Sequence, residues 1–126
     1  FAEEIRQEYD NFGLLIDLSH FPLIHEGIEE SVLPVRDLIT HVHIGNAVAD
    51  PALEAYGDAH PRFGFPGSAN GQAELVQFLR TLLEVGFLNR ENPPVLSFEV
   101  KPWREEDPDV VLASCKRFLD EAWRMV

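Results

Sequence analysis

One cysteine, Cys115, stands in the 126 residues of this chain. That rules out an intrachain disulfide and a cysteine-based zinc finger, and it fits a reducing compartment, so a cytoplasmic setting is expected. Cys115 itself reads as a small buried helix residue rather than a nucleophile. Basic residues are scarce as well: ten Lys and Arg face 22 Asp and Glu, for a formal net charge of −12. A surface this acidic repels phosphate backbones and disfavours nucleic acid as a partner. No apolar run approaches the ~20 residues of a membrane span, so no membrane partner is expected. Phe1-Ala2-Glu3-Glu4 has neither the basic region nor the apolar stretch of a signal peptide. It also lacks an initiator Met, which raises the expectation of a fragment or a processed piece. A P-loop, a GxGxxG turn and a Ser-His-Asp elbow are all missing.

What remains is enough for one domain over residues 1–126. Apolar residues make up 45% of the chain and include nine Phe, sufficient for a core of ordinary size. Residues 2–10 read as the end of a helix, stopped at Asn11-Phe12-Gly13. Leu14 to Asp17 is a short continuous apolar strand, the kind buried on both faces of a parallel sheet. A helix is expected from Ile24 to about Val32, interrupted by Pro34, with a further turn at Val35 to Leu38. Thr40 to Ile44 is the next strand. Residues 45–71 form a long Gly/Pro-rich loop, and loops of that length usually carry function or disorder.

The second half is plainer. Gln72 to Val85 places Leu75, Phe78, Leu79, Leu82 and Leu83 on one stripe, and Gly86 ends it. Val95 to Val100 is the third strand. Asp107 caps a last helix with Pro108 at its first position and a stripe of Val110, Val111, Ser114, Cys115, Phe118, Leu119 and Ala122. Strands alternating with helices predict an α/β fold with a parallel sheet.

Chemistry gathers where the strands end. Asp17-Leu18-Ser19-His20 closes the first, His41-Val42-His43 the second, Phe98-Glu99-Val100-Lys101 the third. Asp58-Ala59-His60 lies in the long loop. An Asp or Glu at the end of a buried strand is costly unless something neutralises it. Carboxylates and imidazoles held by strands, with loops leaving room above them, suit a divalent metal. His41 and His43 alternate to the same side, and His43, nearer the carboxyl end, is the better ligand. Each residue also has a plainer role open to it. Asp17 could cap or pair; His20 and His41 could simply support their neighbours; Asp58 could serve a turn. Arg62 could bind a substrate phosphate or pair with an acid, and Trp103 could wall a pocket or pack beneath the last helix.

Taken in order, Asp17-Leu-Ser-His20, His41-Val-His43, Asp58-Ala-His60 with Arg62-Phe-Gly64-Phe-Pro-Gly67, and Phe98-Glu99 resemble the xylose isomerase-like TIM-barrel superfamily. That group includes sugar and sugar-phosphate isomerases and epimerases and the endonuclease IV branch. The resemblance covers nearly the whole chain and implies a partial (β/α)8 barrel, the C-terminal portion, with about three parallel strands. A complete barrel takes about 250 residues. It implies Asp17, His43 and Glu99 as metal ligands, with Mn, Mg, Co or Zn as the divalent metal. Glu99, His20 and Lys101 become the catalytic and substrate-orienting residues. His20, Asp58, His60 and Arg62 are further candidates for metal or substrate.

Two departures from the pattern stand out. The glutamate that an earlier strand supplies in these enzymes has no counterpart here, and Asn46 stands where some epimerases carry a glutamate. The expected function is a metal-dependent sugar or sugar-phosphate isomerase or epimerase working through an enediolate on a small sugar substrate. The alternatives are an endonuclease IV-like zinc phosphodiesterase and an inactive fragment or binding module. A homodimer, or the N-terminal half of the barrel, is the expected protein partner.

Overall fold

A computed structural model describes all residues from Phe1 to Val126. The element order is α1 (Ala2–Glu8), β1 (Leu14–Asp17), a 3-10 turn (Phe21–Leu23), α2 (Ile28–Val32), a second 3-10 segment (Leu33–Leu38), β2 (Ile39–Gly45), α3 (Gln72–Glu84), β3 (Leu96–Glu99) and α4 (Pro108–Trp123). The strands form one parallel sheet in the order β1-β2-β3. The expected α/β class, with helices between parallel strands, is what the chain adopts. No helix is long and apolar enough to cross a membrane.

Register and alternation decide what faces where. Ile16 pairs with Val42 and Asp17 with His43; His43 pairs with Ser97 and Gly45 with Glu99. Because successive side chains point to opposite faces, Ile16, Val42, Ile44, Leu96 and Phe98 turn to the helices and join the core. Asp17, His43 and Glu99 share the other face, at its carboxyl edge. Gly13 lets the chain enter β1 close to β2, since a Cβ there would lie 2.2 Å from the Thr40 side chain.

The helices cover one face only. Leu75, Phe78, Leu79 and Leu82 of α3 are fully buried, and Phe78 meets Phe21 edge-on at 5.9 Å. Val111, Cys115 and Ala122 of α4 complete the layer. Cys115 is inert in this setting, since burial pushes its thiol up. Both helices start on their own acids: Glu74 Oε2 accepts from Gly71 N–H at 2.9 Å. Asp107 Oδ1 accepts from the N–H groups of Asp109 and Val110 at 2.9 and 3.2 Å.

Two local readings change. The helix expected from Ile24 begins only at Ile28, because Phe21–Leu23 takes a 3-10 turn and His25 sits at φ 60°. The α-helix does end at Val32 as expected, and Pro34 stands at the start of the second 3-10 segment, which carries the turn expected over Val35 to Leu38. Val110 and Leu83 fall off their expected stripes, at 63% and 40% exposed.

Candidate metal centre

Three consecutive parallel strands deliver one candidate ligand each to the same spot. Asp17 ends β1 and is buried; its Oδ1 accepts the Ser19 N–H at 2.8 Å. Its other oxygen, Oδ2, is buried and makes no hydrogen bond. His43, directly across on β2, puts Nδ1 against Glu99 Oε2 at the end of β3. One ligand atom from each of Asp17, His43 and Glu99 lies within 4.8 Å of the others. Gly45 permits the convergence, because a Cβ there would come within 2.7 Å of the Glu99 carbonyl.

The electrostatics carry the same message. Burial holds the Asp17 carboxyl above the usual carboxylate range. The neighbouring Asp17 carboxyl holds the Glu99 carboxyl below that range, with His43 adding to the effect. Two neighbouring carboxylates disfavour each other's charge, and of this pair Asp17 is the one pushed toward its protonated form. An orphaned buried oxygen beside a second carboxylate and an imidazole is a donor set that a divalent cation fits.

Beside this trio lies a second group. Asp17, His20 and His60 also place ligand atoms within 4.8 Å of one another. Asp58 Oδ1 bridges the two imidazoles, 3.1 Å from His20 Nε2 and 2.8 Å from His60 Nε2. His60 is held at φ 47°, in the left-handed region, and its carbonyl accepts the Lys101 N–H at 2.7 Å. A non-glycine residue kept there costs roughly 1–3 kcal/mol, which the surrounding contacts must offset. Its Nδ1 is buried and makes no hydrogen bond.

Of the residues singled out from sequence, Asp17, His20, His43, Asp58, His60 and Glu99 thus form one cluster. Arg62 does not join it: its guanidinium binds Glu106 at 2.9 Å. Lys101 lies beyond the end of β3 and is exposed. His41 sits one layer deeper, its ring 5.0 Å from that of His43 and its Nε2 3.4 Å from Ser97 Oγ. Trp103 packs edge-on against Phe65 at 5.8 Å. The largest surface hollow, lined in part by Glu29, Gln77, Arg80 and Met125, holds none of these ligands.

Sequence reasoning passed over Asn70. This buried side chain donates to the carbonyls of Leu18 (3.0 Å) and Gly45 (3.2 Å), just past β1 and at the end of β2. Its own N–H donates to Asn46 Oδ1 at 2.9 Å, and Asn46 Nδ2 donates to the Arg62 carbonyl at 3.1 Å. Asn46, first noticed as a departure from a family pattern, is a structural amide here. The two amides tie the carboxyl ends of the strands to the long loop.

No protein-family model matches the sequence, and no curated protein matches it.

Proposed function

We propose that this chain is an arc of a xylose isomerase-like barrel carrying the metal-binding rim of a sugar or sugar-phosphate isomerase or epimerase. The convergence of Asp17, His43 and Glu99 from three neighbouring strand ends carries the reading. In this assignment those three residues hold the divalent ion, which when bound polarises a substrate carbonyl and favours the enediolate. Glu99 has the freedom for proton transfer: its carboxylate is partly exposed, is held ionised, and sits at the mouth of the sheet. It takes a proton from the carbon beside the carbonyl and returns it. His20, half exposed and anchored on Asp58, orients a substrate hydroxyl. The ring of β-α units would be completed at the β1 and β3 edges by a second copy or by further strands of the same barrel.

Glu99→Gln tests the proton transfer. The metal-loaded chain is expected to exchange the carbon-bound hydrogen of a ketose such as D-fructose with deuterated water. The variant should lose about 10²–10⁴-fold of that rate, read by proton NMR of the sugar. An unchanged rate in the variant would remove Glu99 from this role.

The bridging of His20 and His60 by Asp58 favours a second reading, a zinc phosphodiesterase of the endonuclease IV kind, in which all three residues would be ligands. An abasic-site oligonucleotide and a ketose offered to the same zinc-loaded sample separate the two. Strand cleavage without ketose turnover would favour the phosphodiesterase.

A further inference from the structure

In a β/α sheet the substrate meets the loops at the carboxyl ends of the strands, and a phosphate group there is usually held by helix N-termini and by arginines. Here the loops after β2 and β3 offer four such devices, and a carboxylate of this chain already stands at each. Glu74 places its charge at the start of α3, where it accepts the Gly71 N–H. Asp107 occupies that of α4 through two N–H groups. Arg62 is bound by Glu106 at 2.9 Å, both only partly exposed, and Glu106 also accepts the Trp103 N–H at 3.0 Å. Arg104 is paired with Glu54. The remaining cation, Lys101, is solvated, and the carboxylates of Asp17, Asp58 and Glu99 stand at the same rim.

We infer that this rim excludes anions, so that the end of the substrate it receives is an uncharged polyol rather than a phosphate ester; the polyol assignment rests on the isomerase reading, whereas the exclusion does not. Glu106 and Glu54 are the specificity determinants. They turn two guanidiniums, which would otherwise bind phosphate bidentately, into parts of the loop scaffold. The Glu106 pair contributes more, because it is shielded; the Glu54 pair is exposed and weaker.

Inorganic phosphate is the probe, titrated into the nitrogen-15-labelled chain and into the Glu54→Gln/Glu106→Gln variant. The signals to follow are the Arg62 and Arg104 Nε–H groups and the amides at the starts of α3 and α4. The expected result is no saturable shift in the wild-type chain and a gain in phosphate affinity of at least about tenfold in the variant. Asp107→Asn, which keeps an oxygen at the cap while removing its charge, should add a response at Asp109 and Val110. Saturable phosphate binding by the wild-type chain, or a folded variant that binds no better, overturns the inference. A parallel titration of the metal-loaded chain compares D-fructose with D-fructose 6-phosphate. A response to fructose alone supports the polyol assignment. Preference for the phosphate ester overturns it and leaves the isomerase reading standing. A response to neither sugar strikes the isomerase reading and the polyol assignment with it, while the phosphate result still decides the exclusion.

Discussion

Asp17→Asn should leave a folded chain whose thermal stability no longer responds to Mn²⁺ or Zn²⁺. In the wild type, metal at a hundredfold excess over its Kd adds about 2.7 kcal/mol by mass action. For a domain of this size that is a rise of about 10 °C in Tm. The variant keeps the Ser19 N–H contact to Oδ1 but replaces a buried carboxyl with a neutral amide. Its metal-free form is therefore expected to melt no lower than the wild type at neutral pH. Differential scanning fluorimetry with and without metal gives both values. A full metal-induced shift in Asp17→Asn would rule out the strand-end trio as the binding site.

The pH dependence of the wild type follows from the same pair. Asp17 binds its proton more tightly folded than unfolded, where the value is near 3.8. Its contribution to stability is therefore complete below that value and is lost as pH rises through the raised one. Glu99, held below its ordinary 4.5, contributes above that value and loses its contribution as pH falls through the lowered one. Metal replaces the proton on Asp17, so the metal-induced rise in Tm should grow with pH over the window in which Asp17 would otherwise be protonated.

Asn70→Ala should cost about 3 kcal/mol although Asn70 makes no hydrogen bond to a candidate metal ligand. Removing its amide leaves the carbonyls of Leu18 and Gly45 without their side-chain donor, and an unsatisfied buried group costs about 1–3 kcal/mol. The first carbonyl lies next to Asp17 and the second belongs to Gly45, which pairs with Glu99, so metal affinity should fall with stability. Urea unfolding measures the first effect as a lower midpoint at unchanged slope. Asn70→Asp is the stricter control. It preserves shape but turns an acceptor toward two carbonyls, and it should do no better than alanine. A loss below about 1 kcal/mol would mean that the strand ends hold without this amide.

Much of the architecture was legible because it depends on local pattern. The stripe of α3 and the Asp107-Pro108 start of α4 are set by spacing and capping chemistry, and β1 matches its apolar run residue for residue. Candidate ligands stood out because carboxylates and imidazoles are expensive at the ends of buried strands. Long-range pairings were less readable. Nothing local says that Arg62 will be claimed by Glu106, or that Asn70 will reach back to Leu18. Both contacts exist only after the long loop has folded across the strand ends. Lys101 was placed by extending the alternation of β3, and the strand stops at Glu99 before the alternation reaches it.

The two strand pairings differ greatly in the chain they must close: Leu14 meets Ile39, but Val42 must wait for Leu96. Loop-closure entropy grows with that separation, and parallel pairing over long stretches is slow. The β1-β2 unit with α2 is therefore expected to form early and β3 to dock late. Glu99 arrives with β3, so the ligand set is incomplete at the folding barrier. A bound ion would then leave the refolding rate almost unchanged and act as a brake on unfolding, lengthening the lifetime of the native chain rather than hastening its birth.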